Sequence, residues 1–208
     1  NARWRQQVLR AARPHLLRVI GPNTIGYAMP KLGLNASFGP GNLKAGRIAA
    51  VAQSGAVLAG LADWGAAQGI GFSHLVSMGD MSDVDFGDVL DMLARDADTR
   101  AVLMYIEGIT HARKFMSAAR AAARNKPVIV VKAGRSPLAA KAAASHTGAL
   151  AGVDAVYDAA FRRAGMLRVD TTREITVQFM TRNNEGMPWE FGPSVTAMKI
   201  NPGAVNDT

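Results

Sequence analysis

From Arg47 to Asp170 the chain alternates two kinds of segment, and this alternation constrains the fold more than any other feature. Short apolar runs stand at Ile48–Ala52, Ser73–Met78, Ala101–Glu107, Pro127–Ala133 and Leu167–Asp170. Between them lie longer segments with apolar residues at helical spacing: Val57–Gln68, Phe86–Ala97, Ala112–Asn125 and Gly152–Ala164. Near-continuous apolar strands are buried on both faces, and intervening helices long enough to cross over make neighbouring strands parallel. Right-handed crossovers then give an α/β fold with a doubly wound parallel sheet, and a flavodoxin-like strand order is expected rather than a Rossmann order. The chain is 49% hydrophobic but only 6% aromatic and contains 21 glycines, which favours closely packed helices on a sheet over a β-sandwich.

The flanks behave differently. With 208 residues the chain has room for one full domain and part of another. Val8–Leu17 reads as a short helix broken at Pro14, Leu16–Ile20 as a strand, and Gly21-Pro22-Asn23 as a turn. One strand with half a helix is not a domain, so residues 1–27 read as the end of an upstream unit. Residues 28–46 carry Pro, Gly and Asn with few periodic apolar positions and read as a linker. The main unit spans 47–174. Residues 175–208 lose the Ala-rich periodicity and gain Pro188, Pro193 and Pro202, reading as an irregular tail.

Charge and composition narrow the setting. The formal net charge is +8, but the basic residues are spread over helices without interleaved aromatics, so a solvated face is expected and nucleic acid is not expected as a partner. Small polyanions such as nucleotides fit the same charge. There is no cysteine, which suits the cytoplasm. The most apolar stretch, Ile48–Phe72, is interrupted by Gln53, Ser54 and Asp63, and no membrane span is expected. The Arg-rich, acid-free start resembles a transit peptide in composition, but it lacks Ser and runs into a turn, so a targeting segment is not expected.

Three places carry candidate chemistry. Ser145-His146-Thr147-Gly148 sets a histidine in a small-residue loop between the strand at 127–133 and the helix at 152–164, outside the carboxyl end of a strand, where open α/β sheets bind ligands. A neutral imidazole there serves as base, metal ligand or nucleophile toward phosphorus. His15, His74 and His111 are scattered and no second ligand stands at metal spacing, so no metal site is expected. Gln53-Ser54-Gly55-Ala56 joins the first strand to its helix. It reads either as a tight turn with Ser54 as N-cap or as an anion site at the helix N-terminus. Glu107 ends the third strand. It either marks where the strand reaches water or accepts a hydrogen bond from His146 and fixes its tautomer. Asp80, Asp83, Asp85 and Asp88 crowd one turn without calcium-loop spacing, and Asp85 is placed to cap the following helix.

In this order, Gly21-Pro22-Asn23-Thr24-Ile25-Gly26, Gly46 to Gly55, Tyr105-Ile106-Glu107-Gly108, Lys126-Pro127-Val128 and Ser145-His146-Thr147-Gly148-Ala149 resemble the succinyl-CoA synthetase α-subunit and the related NDP-forming acyl-CoA synthetases. The resemblance runs from about residue 15 to residue 174. It implies a flavodoxin-like CoA-ligase domain, preceded by the end of a truncated Rossmann-like CoA-binding domain that contributes Asn23 as a cofactor-binding residue. It also implies that His146 is the phosphorylated residue and Glu107 its orienting partner, with Ser54, Gly55, Ala56, Thr147 and Gly148 binding phosphate. In that family the histidine carries a phosphoryl group between an acyl phosphate and ADP or GDP, and CoA takes the acyl group. The implied ligands are CoA, acyl phosphate, inorganic phosphate, ADP/ATP or GDP/GTP, and Mg. The nucleotide is expected on an ATP-grasp domain or subunit outside this chain, and a homo-oligomer fits a chain that exposes interfaces for missing domains. The tail beyond Glu174 departs from the family's continuing helix. A branch of the superfamily is fused to a protein lysine acetyltransferase and senses acyl-CoA or nucleotide, which gives a second reading.

Overall fold

The computed structural model describes residues 2–39, 41, 43–134 and 154–171. Its centre is a seven-stranded sheet built from β1 (Gly26–Met29), β2 (Leu34–Ser37), β3 (Ala45–Ala52), β4 (Phe72–Ser77), β5 (Ala101–Ile106), β6 (Val128–Lys132) and β7 (Leu167–Val169), in the order β2-β1-β4-β3-β5-β6-β7. The five strands from β3 onward are parallel, and β4-β3-β5-β6-β7 is the flavodoxin-like order expected from the alternation.

The helices distribute on both faces. Helix α2 (Gly55–Ala67) covers one side with Leu58, Leu61 and Ala62 packed on Ala50, Leu75, Leu103 and Ile129. Helices α3 (Phe86–Arg95), α4 (Ala112–Asn125) and α5 (Asp154–Ala164) cover the other. There Leu90, Leu93, Phe115 and Phe161 pack on Val51, Met104 and Val130, and the Phe115 and Phe161 rings meet edge-on at 6.2 Å. Small side chains on β3, Ala49 to Ala52, allow helices to approach from both sides; all four residues are fully buried.

Two buried polar groups hold the amino edge of this packing. Lys126 reaches from the end of α4 to the carbonyls of Leu93, Asp96 and Thr99 at 2.6, 2.8 and 3.0 Å, closing the last turn of α3. His74 on β4 lies 3.4 Å from Thr99 Oγ1 and 3.6 Å from Asp96; burial lowers its basicity and Asp96 opposes that.

The amino-terminal region differs from expectation. The first helix, α1, begins earlier, at Ala2–Ala12, and passes into a single 3₁₀ turn at Arg13–His15. Leu16–Ile20 forms no strand. Instead Val19 N–H donates to Asp83 Oδ2 at 2.8 Å and Val19 O accepts from Val84 N–H, so this segment is tied to a loop and not to a ladder. Residues 28–46, expected as a linker, supply most of the β1–β2 hairpin, and β1 pairs antiparallel with β4 through Tyr27 and Ala28. The hairpin escapes a periodicity reading because β2 has three exposed residues and its cohesion is in the backbone. The expected irregular tail, 175–208, lies outside the described residues.

Candidate functional site

At the carboxyl ends of β3 and β5 the chain turns toward opposite faces, since α2 leaves on one side and α4 on the other. Open sheets bind ligands at such a switch point. A cleft of about 810 Å³ lies there, walled by the β3–α2 turn, the β4–α3 loop, the β5–α4 loop, the segment before β1 and Tyr157 of α5. Of the residues singled out in the sequence, Asn23, Ser54, Gly55, Ala56 and Glu107 all line it. His146, Thr147 and Gly148 lie outside the described residues, as does the rest of Ser145–Ala149.

Each wall is fixed by local chemistry. Ser54 caps α2, its Oγ accepting from Val57 N–H at 3.4 Å. Gly55 and Ala56 carry the first two amides of that helix, which have no partner within a helix and lie at the positive end of its dipole. Gly55 also admits Ile25, because a Cβ there would sit 2.5 Å from Ile25 Cγ2. The cap and the anion site proposed as alternatives are therefore compatible: Ser54 serves the third amide while the first two face the cleft.

Gln53 is a residue that sequence reasoning did not assign. Its Oε1 accepts from both Glu107 N–H and Gly108 N–H at 3.0 Å, and its own N–H donates to Tyr105 O at 3.0 Å. It clamps the strand end that delivers Glu107. The partners are more than 50 positions apart, so no local pattern reveals them; its place right after a strand and before a cap is the one available signal. Gln53→Leu leaves two amides without an acceptor, which costs about 2 kcal/mol. A lower melting temperature together with shifted Glu107 and Gly108 amide resonances will register it.

The segment before β1 is sewn to the β4–α3 loop. Asp80 N–H donates to Pro22 O at 2.9 Å and Ser82 N–H to Gly21 O at 2.9 Å; Thr24 Oγ1 donates to Ser77 O at 2.6 Å. Asn23 adopts a left-handed conformation at φ 58, and its side chain reaches Asp80 Oδ1 at 3.3 Å. Asp80 also pairs with Arg5 of α1 at 2.8 Å.

The acidic turn works as turn and cap. Asp85 accepts from Gly87 and Asp88 N–H at 2.8 and 3.2 Å, and Asp88 closes the reciprocal capping box. The Arg18 side chain holds Asp83 below the ordinary carboxylate range. For Asp88, burial pushes the other way, but hydrogen bonds from Lys114 and the Asp85 amide prevail and lower it. Among the described residues no three His, Cys, Asp or Glu side chains gather to hold a metal ion.

A doubly wound sheet with flavodoxin order and a switch-point cleft beside a capped helix N-terminus defines an open α/β domain of the flavodoxin-like class. Residues 45–181 match the succinyl-CoA ligase like flavodoxin domain, and the chain belongs to that family. It is 46% identical over 169 residues to the α-subunit of an ADP-forming acetate–CoA ligase I of Pyrococcus furiosus, covering 81% of this chain and 37% of that protein. It is 42% identical to an ADP-forming 4-hydroxybutyrate–CoA ligase of Nitrosopumilus maritimus, covering 84% of this chain and 26% of that one. Among solved structures, a dinucleotide forming acetyl-coenzyme A synthetase 1 of Ca. Korarchaeum cryptofilum, in complex with phosphate and ADP, superposes with a TM-score of 0.77 at 38% identity, over 81% of this chain and 37% of that one. The chain thus spans about a third or less of these relatives. All three are named as CoA ligases or synthetases, which does not favour the acetyltransferase-sensor reading. Among the described residues no helix is long and apolar enough to cross a membrane.

Proposed function

We propose that this chain is the phosphoryl-carrying CoA-ligase module of a cytoplasmic NDP-forming acyl-CoA synthetase. The observation that carries the reading is the convergence of the α2 N-terminus and Glu107 on one switch-point cleft, in a chain whose relatives are ADP-forming CoA ligases. In this reading CoA leaves an acyl-CoA when phosphate attacks the thioester, giving an acyl phosphate. A ring nitrogen of His146 then attacks the phosphorus; the P–O bond to the acyl group breaks and the carboxylate departs with that electron pair. The phosphoryl group next passes from His146 to ADP or GDP, regenerating the neutral imidazole.

The residues of this chain divide that work. Glu107, held by Gln53 at its amide, orients His146. Ser54, Gly55 and Ala56, with Thr147 and Gly148, bind the phosphoryl oxygens; a phosphohistidine carries about two negative charges, and a helix N-terminus favours such a group by about 1 kcal/mol. Asn23 faces CoA from residues 1–27, read as the end of a CoA-binding domain. Nucleotide and Mg belong to an ATP-grasp domain or subunit. Which acid is activated follows from parts beyond this chain.

The experiment is incubation of the full-length protein with acetyl-CoA, inorganic phosphate and magnesium, without nucleotide, followed by intact mass. One acid-labile, base-stable phosphoryl group is expected, and none on His146→Asn. Equal phosphorylation of both proteins sinks the assignment of His146; none on either sinks the catalytic reading.

A further inference from the structure

One buried cation beside the cleft has no part in the reading above. Lys132, the last residue of β6, is 6% exposed, and the four residues before it on that strand are Val or Ile. Its register partner is Ile106, whose carbonyl accepts from Ala133 N–H at 2.9 Å, so Lys132 stands beside the strand end that delivers Glu107. Buried Lys126 donates to three carbonyls, and partly buried Arg168 bonds Asp154 at 2.5 Å. The Lys132 ammonium donates to a single carbonyl, that of Ala133, at 2.5 Å, and otherwise lies 4.6 Å from the centre of the Tyr157 ring. Among the described residues no carboxylate lies within ion-pair distance of it.

Burying an ammonium with so little neutralisation is costly, and an aliphatic side chain would complete β6 without that cost. Burial accordingly lowers the basicity of Lys132; Asp154 and Glu107 oppose this from a distance and Arg168 adds to it. What the charge does touch is informative. Tyr157 lines the cleft and Lys132 does not, so this ring is the contact that links the cation to the ligand space. Phe161, one turn on, packs against the same ring with a centroid distance of 6.0 Å.

We propose that Lys132 is a positioning residue for a phosphate-bearing ligand: its ammonium fixes the Tyr157 ring as a wall of the cleft and supplies an unneutralised positive charge behind it. The inference rests on the reading that this cleft binds phosphate. A cation shielded from water by an aromatic ring keeps its attraction for an anion better than one in solvent, and the ring face itself is held by the cation.

The test is a titration of the 208-residue chain with inorganic phosphate, followed at the Gly55 and Ala56 amide resonances. Lys132→Met keeps the stem and removes the charge; it is expected to weaken phosphate binding about tenfold, while Lys132→Arg stays within about threefold. Tyr157→Leu weakens binding to a similar degree, Tyr157→Phe recovers most of that loss, and the Lys132→Met/Tyr157→Leu double variant is no worse than the weaker-binding single variant, because both act through one contact. A folded Lys132→Met that binds phosphate like the parent overturns the inference and leaves the proposed function standing. Losses that multiply in the double variant overturn it as well. If Lys132→Met does not fold, the two Tyr157 variants decide, and equal binding by Phe and Leu counts against it. A parent chain that shifts neither amide in phosphate overturns the phosphate reading of the cleft and this inference with it.

Discussion

Gly79→Ala will dismantle one wall of the cleft and lower the stability of the domain by about 3 kcal/mol, the sum of a left-handed alanine and a steric conflict. Gly79 has φ 56, and a Cβ there would lie 2.1 Å from Pro22 O and 2.4 Å from Asn23 O. These are backbone atoms, so no side-chain rotation relieves the contact. The segment before β1 must move away from the β4–α3 loop, and the Asp80–Pro22 and Ser82–Gly21 hydrogen bonds open with it. A melting temperature lower by about 6–12 °C is expected for a domain of this size. Loss of the Asn23 and Thr24 amide resonances from their native positions, at temperatures where the sheet is still folded, is the more specific sign. Native resonances at both residues would show that the loop accommodates the methyl group and that the close approach is not obligatory.

Lys126→Met should be comparably damaging, though it touches no ligand. Three carbonyls at the end of α3 and in the loop before β5 share one ammonium, and Lys126 is 7% exposed. Methionine fills the volume but donates nothing, and each buried carbonyl left unpaired costs about 1 kcal/mol or more, for a loss of about 3 kcal/mol in total. Chemical denaturation should show the midpoint falling with an unchanged slope. Hydrogen exchange should quicken first at the last turn of α3. A variant as stable as the parent would mean that water replaces the ammonium at all three carbonyls.

Neither position is legible in the sequence, although much of the fold around them is. Strand order followed from the alternation because β3, β5 and β6 are apolar on both faces, and only a doubly covered parallel sheet hides such strands. Asp85 and Ser54 were legible as caps because a cap acts within three residues of itself. The cleft was half legible: Asn23, Ser54 and Glu107 stand at ends of apolar runs, where a chain must turn. The rest depends on partners far apart in the chain. Gln53 acts on amides 54 and 55 positions away, Lys126 on carbonyls 27 to 33 positions away, and Gly79 is required by a carbonyl of Pro22. Leu16–Ile20 shows the opposite failure. Its apolar residues suit a strand, yet the hydrogen bonds of Val19 go to Asp83 and Val84, so no ladder forms.

The β1–β2 hairpin sets the unit that can be handled as one piece. The family match begins at residue 45, beyond the hairpin, yet β1 covers the outer edge of β4 through Tyr27 and Ala28. The segment just before it supplies Asn23 to the cleft. A polypeptide begun at the family boundary would expose the backbone of β4 as an open sheet edge, the kind of surface on which neighbouring molecules assemble into aggregates. It would also lack Pro22, Asn23, Thr24 and Ile25, which line the cleft. The stretch that the domain family covers and the stretch that keeps β4 paired on both sides are therefore different lengths, and excision for study should follow the second.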